Sequence, residues 1–282
     1  MDTKTVVFHA GAHKTGTSLL QKYMRDNRRR LQMRGIYYLA RSEMNDLVGW
    51  GRSLVEHPEE LEARISGILG HLMYHTLVTS HENTLGRPAA PGGAHLYPRA
   101  APMVETLGRL LAPYRAKVFI YVRPQVEFLE SYYLQLIHQG NTFTFAEWIG
   151  SLDLDRLSWV PLTDMLIETL GGDRVEVVDF GEIRLGQNEF IQRFFRRIDP
   201  RFDFKVDYKP RRNPSVGDKG LSLALAANPY LAGSDEKKAM RVFLQKRFSN
   251  VDYPRPVLFT DAQKQALRDR YDDEYGHITG TG

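Results

Sequence analysis

Ten residues, His9-Ala10-Gly11-Ala12-His13-Lys14-Thr15-Gly16-Thr17-Ser18, gather the groups that hold phosphate. Gly11 and Gly16 lack a Cβ, so the backbone can turn sharply there and let consecutive N–H groups converge on one concavity at the start of a helix, where the peptide dipoles favour an anion. Lys14 brings a positive charge to that concavity, Thr15, Thr17 and Ser18 bring hydroxyl donors, and the His13 imidazole lies inside the turn. The Gly11-x4-Gly16 spacing copies the frame of a Walker-type loop, which places lysine and then Ser or Thr directly after the second glycine. Thr17 stands where that lysine belongs, and the lysine lies within the turn instead. The metal-nucleotide geometry of ATPases is therefore not what this order of residues specifies.

A second anion-binding pair follows later. The run Lys117-Val118-Phe119-Ile120-Tyr121-Val122 reads as a strand closed by Arg123-Pro124, and Val126, Leu129, Tyr133, Leu136 and Ile137 then recur at helical spacing. At about 100° per residue, Ser131 falls nearly opposite that apolar stripe and is free to meet a ligand. A guanidinium offers phosphate a rigid fork of donors, and the serine hydroxyl adds another. Proton chemistry has its own candidates: the strand-like Leu77-Val78-Thr79-Ser80 runs straight into His81 and Glu82, either of which accepts a proton at a suitable pKa. Adjacent side chains of an extended chain point oppositely, so one of the two is expected to face the ligand. Near the end, Lys209-Pro210-Arg211-Arg212-Asn213-Pro214-Ser215 is basic and turn-rich; it reads either as a segment closing over an anionic ligand or as a solvated basic loop. The clusters Arg28-Arg29-Arg30 and Arg193, Arg196 and Arg197 carry the same two readings.

These residues need strands and helices to position them. Thr5-Val6-Val7-Phe8 is a β-branched and aromatic run suited to a buried strand before the first loop, and Leu19, Leu20, Tyr23, Met24 and Leu31 recur at helical spacing after it. Further strands are expected over 35–38, 77–80, 117–122 and 175–180, and helices over 58–73, 101–111, from 126 onward and over 189–197. This alternation predicts an α/β protein, a three-layer α/β/α arrangement with a central, mainly parallel sheet whose ligands lie beyond the strands' carboxyl ends. A single domain over 1–282 is expected, with the polar stretch 199–215 leading into a helical C-terminal portion from about residue 215. The breaker-rich Arg87-Pro88-Ala89-Ala90-Pro91-Gly92-Gly93-Ala94 marks a mobile lid over 84–98.

Composition narrows the classes. The 282 residues are 42% hydrophobic and 26% charged, enough for one large domain core. No apolar run approaches the roughly eighteen residues of a membrane span, and the first strand begins at once without room for a signal peptide, so the expectation is a cytoplasmic protein. With no cysteine, disulfides, a thiolate nucleophile and cysteine zinc ligands are excluded. A net charge of +4 suits a cavity for a multiply anionic ligand and equally a surface for a polyanion.

The order strand, His-Lys-Thr-Gly-Thr-Ser, then a strand ending on Arg123 with Ser131 eight positions later, resembles the two nucleotide motifs of sulfotransferases that use 3′-phosphoadenosine 5′-phosphosulfate (PAPS), in their soluble bacterial or cytosolic form. That resemblance, specific over the first half of the chain, implies a P-loop nucleotide-kinase-like fold and sulfuryl transfer from PAPS to a hydroxyl or amine, leaving the desulfonated product (PAP), without a metal. It implies that His13, Lys14, Thr15, Gly16, Thr17 and Ser18 hold the 5′-phosphosulfate and that Arg123 and Ser131 hold the 3′-phosphate. Arg211, Arg212, Asn213 and Ser215 would then cover the nucleotide. Lys14 suits stabilisation of the leaving oxygen, by analogy with phosphoryl transfer. Families of this kind use either histidine or a glutamate after a strand as base; the Ser80-His81-Glu82 order is similar to the glutamate type, with Glu82 first and His81 second. The acceptor is expected to be a glycan or glycolipid, with no nucleic acid partner. Tyr132, Tyr133, His138, Trp148 and Trp159 are candidates for an aromatic acceptor cleft, against the alternative of core packing. Two other functions compete: a kinase using ATP and Mg²⁺ on the same loop, and a non-catalytic binder of polyanions drawing on the arginine clusters.

Overall fold

Five short strands define the architecture, because each carries apolar side chains on both of its faces. They are β1 (Thr5–His9), β2 (Ile36–Leu39), β3 (Thr76–Ser80), β4 (Arg115–Val122) and β5 (Val175–Asp179), in a computed structural model that describes residues 4–89, 95–202, 205–209 and 215–281. Their order across the sheet is β2-β3-β1-β4-β5. Every neighbouring pair is parallel, with Val7 of β1 level with Val78 on one side and Lys117 on the other. Parallel neighbours cannot be joined by a tight turn, so each connection crosses over through helices.

The two sides of the sheet bury separate cores. Val6 and Phe8 of β1, Leu77 of β3, and Val118, Ile120 and Val122 of β4 belong to one, while Val7, Val78, Phe119, Tyr121 and Val178 belong to the other. The period of two along a strand produces this division. The smaller side is covered by α1 (Thr17–Asp26), α2 (Arg28–Gln32) and α10 (Gln187–Ile198), through Leu20, Tyr23, Met24, Leu31 and the Phe190, Ile191, Phe194, Phe195 stripe. The larger side takes α3 (Arg41–Val48), α4 (Arg52–Glu56), α5 (Pro58–Leu69), α6 (Ala101–Leu111), α7 (Gln125–His138), α8 (Phe145–Gly150) and α9 (Val160–Leu170). The C-terminal helices α11 (Asp218–Ala227), α12 (Ser234–Arg247) and α13 (Asp261–Thr279) pack on α7 and contribute Leu221, Leu244, Leu267, Tyr271 and Tyr275 to the same larger core.

The three-layer α/β reading holds, with a sheet that is parallel throughout. The strand expected over 175–180 stops at Asp179, whose carboxylate accepts the Gly181 N–H at 2.6 Å and turns Phe180–Leu185 into a 3₁₀ segment. The helix expected over 58–73 ends at Leu69, short of the turn leading into β3. Helices α3, α4, α8 and α9 are additional to the sequence reading. The proposed aromatic cleft is corrected in its main part: Tyr132, Tyr133, Trp148 and Trp159 are all buried in the larger core, where Tyr133 stacks on Trp148 and Phe128 packs edge-on against Trp159. Among the described residues no helix is long and apolar enough to cross a membrane.

The chain leaves β1 toward β2 on one side of the sheet and leaves β4 toward β5 on the other, so the connections diverge above the carboxyl ends of β1 and β4. A crevice opens at such a point in parallel sheets. Phe194 supports its floor from below: fully buried, it packs edge-on against His9 at the end of β1 and Phe119 of β4. Phe194→Ala is expected to cost about 3–5 kcal/mol by chemical denaturation. A loss below about 1 kcal/mol would show that this contact does not support the strand ends.

Candidate active site

The loop after β1 is a compact turn with two left-handed residues, Lys14 at φ 67° and Gly16 at φ 81°. Thr15 is fully buried and its hydroxyl donates to the Ala12 carbonyl at 2.5 Å, which closes the turn on itself. A Cβ at Gly16 would lie 2.9 Å from the Phe180 ring, and one at Gly11 would lie 2.9 Å from both His9 Nε2 and Thr17 Oγ1. The two glycines are thus required by close approach as well as by turning. No side chain caps α1, so its first N–H groups face the concavity without a side-chain acceptor. Thr17 is buried, its hydroxyl without a hydrogen bond among the described residues, and Ser18 is exposed on the first turn.

His13 is the centre of an unusual cluster. Among the described residues the non-glycine positions with positive φ are Lys14, Trp50 and Tyr97. The first follows His13 in the chain, the second stacks on its ring at 5.8 Å and 17°, and the third bonds it. Residues held in this backbone region cost free energy that the surrounding structure must overcome, and they concentrate at functional sites. The Tyr97 hydroxyl is 2.9 Å from the His13 backbone N–H and 3.0 Å from Nδ1. It accepts from the backbone, so the arrangement that satisfies every group has Tyr97 donating its own proton to Nδ1. The imidazole is then the Nε2–H tautomer. Burial first, only partly opposed by the charge of Glu82, lowers its pKa to about 4. Among the described residues Nε2 makes no hydrogen bond of good geometry, although the Asn83 side chain is near enough to favour the charged ring, and in this tautomer Nε2 is a neutral donor.

Arg123 follows β4 and is fixed through its backbone. The Trp159 indole N–H donates to the Arg123 carbonyl at 2.8 Å, and the Tyr275 hydroxyl lies 3.2 Å from the Val122 carbonyl and 2.6 Å from Asp179 Oδ1. The guanidinium lies 5.4 Å from the centre of the Phe180 ring and its Nη1 donates to the Lys14 carbonyl at 3.4 Å. Arg123 and the Lys14 loop therefore share one cleft. The Lys14 side chain remains open to solvent, yet crowding by the cleft lowers its pKa, with loss of hydration first and the Arg123 charge second. Ser131 is half-buried in α7, the helix that follows Arg123 and Pro124 in the chain.

His81 and Glu82 follow β3. The His81 backbone N–H donates to the His9 carbonyl at 3.1 Å, and its Nε2 lies 3.2 Å from Asn45 Oδ1. Its ring is 1% exposed, and burial lowers its pKa to about 4. Glu82 is more accessible, with 15% of its side chain exposed, and is held at 2.7 Å by Arg41 and at 3.1 Å by Gln21. Burial, the largest single influence, would raise its pKa; the Arg41 charge, backbone hydrogen bonding and the neighbouring imidazoles together outweigh it and hold the carboxyl below its usual range, ionised at neutral pH. His138, at the end of α7, has a buried Nε2 without a hydrogen bond among the described residues and a pKa lowered to about 4, by burial first and by the Lys14 charge next.

The structure therefore brings together His13, Lys14, Thr15, Gly16, Thr17 and Arg123, with Glu82 and His81 on the adjoining strand end. Ser215 lies apart from these contacts, its carbonyl accepting the Asn250 N–H at 2.8 Å. Arg211, Arg212 and Asn213 fall outside the described residues, as does the 90–94 part of the expected lid. The other arginine clusters are largely engaged: Arg28 bonds Tyr37 and Glu43, while Arg193 and Arg197 pair with Glu182, Glu189 and Glu176. Sequence reasoning missed Trp50, Tyr97, Phe180 and Arg41. Of these only Trp50 carried a signal, since Gly49-Trp50-Gly51 brackets an aromatic between two breakers.

No protein-family model and no curated protein matches the chain. Among solved structures, a sulfotransferase from Alicyclobacillus acidocaldarius superposes with a TM-score of 0.47 at 17% identity, covering 82% of this chain and 98% of that one. A likeness that distant carries no argument about activity.

Tyr97→Phe removes both bonds to His13. We expect the imidazole ¹⁵N signals to shift from the Nε2–H pattern toward a tautomer mixture, with a stability loss of about 1–3 kcal/mol. An unchanged pattern would show that Tyr97 does not set the tautomer.

Proposed function

We propose that this protein transfers a sulfuryl group from PAPS to an acceptor hydroxyl or amine. The observation that carries the reading is the Arg123 guanidinium reaching the Lys14 carbonyl at 3.4 Å, which joins two anion-binding elements in one cleft beside the ionised Glu82. A nucleotide with phosphate groups at both ends of its ribose suits that pairing. The loop of His13, Lys14, Thr15, Gly16, Thr17 and Ser18 would hold the 5′-phosphosulfate, and Arg123 with Ser131 the 3′-phosphate. Ser215, with Arg211, Arg212 and Asn213, is a further candidate for covering the nucleotide.

In the reaction, the acceptor oxygen forms a bond to sulfur as the bond between sulfur and the bridging oxygen breaks. The acceptor proton passes to Glu82, and the electron pair of the broken bond stays on the 5′-phosphate of PAP. Lys14 meets that growing negative charge with its ammonium, an interaction stronger in the transition state than before it. Glu82 is preferred to His81 as base because its carboxylate is both ionised and accessible, whereas His81 is sealed behind Asn45.

Calorimetry with 3′,5′-ADP, 5′-AMP, and ATP with Mg²⁺ tests the donor. Loss of the 3′-phosphate should weaken binding about 10- to 100-fold, the size of one or two charge-assisted hydrogen bonds. Equal affinity for 5′-AMP would remove the sulfotransferase reading, and preferential binding of ATP with Mg²⁺ would replace it with a kinase.

Lys14→Ala should reduce turnover by about 10²–10³-fold while changing 3′,5′-ADP affinity far less. Equal losses would make Lys14 an anchor only. Glu82→Gln should abolish transfer and keep nucleotide affinity, and retained transfer would move the base to His81.

A further inference from the structure

A pocket of about 820 Å³ opens beside the cleft, lined in part by Trp50, Arg52, Arg87, Pro98, Arg99 and Met103. Its size is typical of ligand clefts. Two links connect it to the chemistry. Trp50 stacks on His13, whose neighbour is Lys14, and the Gly49–Gly51 turn packs against the segment that follows Glu82: a Cβ on Gly51 would lie 3.0 Å from the Thr84 carbonyl. The pocket therefore adjoins His13 through Trp50 and the chain segment after Glu82 through Gly51.

Its lining is chemically specific. Trp50 is 43% exposed, whereas the other tryptophans, Trp148 and Trp159, are 3% and 0% exposed. The strained left-handed conformation at φ 59° holds a large aromatic ring at the surface between two glycines. An accessible indole offers a flat apolar face to a pyranose ring. Around it stand the guanidiniums. Arg52 is neutralised by Glu56 at 2.8 Å, but Arg87 and Arg99 have no carboxylate partner among the described residues, and the Arg87 guanidinium lies 5.7 Å from the centre of the Trp50 ring. Two exposed guanidinium forks without a carboxylate partner, beside an indole, suit an anion, a carboxylate among them, carried on a hydroxyl-bearing ring.

Resting on the transfer reading above, we infer that this pocket receives the acceptor and that the acceptor is an acidic saccharide, its carboxylate on Arg87 and Arg99 and its ring on Trp50. A neutral sugar would leave both guanidiniums unanswered, and a phenol would leave them without an anion.

Tryptophan emission tests this without nucleotide or turnover. The protein is titrated with a uronate-containing oligosaccharide and, separately, with the same oligosaccharide after its carboxyl groups are reduced to alcohols. The expected result is quenching of emission that is lost in Trp50→Phe, with the uronate form binding at least about 10-fold more tightly. Arg87→Gln and Arg99→Gln should each remove most of that preference while the thermal midpoint stays unchanged. Equal affinity for the two oligosaccharides, no binding of either, or a preference that survives both arginine substitutions would overturn the inference. The donor reading has its own test in 3′,5′-ADP binding. Saccharide discrimination without 3′,5′-ADP binding would uphold the acidic-saccharide pocket and remove the sulfotransferase, and the reverse result would remove only the pocket.

Discussion

The last residue of β1 governs the geometry of everything above the sheet. His9 is bonded on one side to β3, through its carbonyl to the His81 N–H at 3.1 Å and through Nδ1 to Ser80 Oγ at 2.8 Å. The next residue, Ala10, donates to the Phe119 carbonyl of β4 at 3.1 Å. β1 and β3 thereby end at one level, beside Phe119 and three residues short of the end of β4, before the chain turns into the Lys14 loop. Lys14, Glu82 and Arg123 come from segments far apart in sequence, and the neighbouring carboxyl ends of β1, β3 and β4 bring these long side chains over one crevice. The buried phenylalanines of α10 press on the strands from beneath, so a shift of the strand ends would disturb a close-packed core.

Electrostatics in the cleft follow from desolvation. His9, His13, His81 and His138 all have their pKa lowered to about 4 with burial as the leading cause, so they are neutral at physiological pH. Arg41 is committed to Glu82 at 2.7 Å. Lys14 and Arg123 are then cations available to an anion in the cleft; burial is the leading cause lowering the pKa of each, and the Arg123 charge adds to the effect on Lys14. Neutral imidazoles beside two fixed cations can recognise an anion by hydrogen bonding without titrating over the neutral range.

Much of this was legible in the residues. Strands with apolar side chains on both faces announce a buried parallel sheet, and Gly11 and Gly16 mark the turn because no other residue fits there. Arg123 was legible as a cation at a strand end. The partners were not. Tyr97 lies 84 residues from His13, and Arg41 reaches Glu82 across two separate segments of chain, so neither pairing leaves a local pattern. Aromatic spacing misled for a related reason: Tyr132, Tyr133, Trp148 and Trp159 have the types that line ligand clefts, but their neighbours in space are other core side chains. Phe180 looked like the end of a strand; the Asp179 side chain turns it away and sets its ring between Gly16 and Arg123.

The backbone around Arg123 is pinned by Trp159 and by Tyr275, and Tyr275 lies 153 residues after the Val122 carbonyl that it approaches. During synthesis the chain emerges from its amino end, so the loop at Lys14 and the strand ending in Arg123 are both made long before α13 exists to brace them. The cleft is therefore unfinished on a nascent chain and acquires its final shape only after the last helix has docked. The shape of that cleft thus depends on the docking of α13 as well as on the segments that line it.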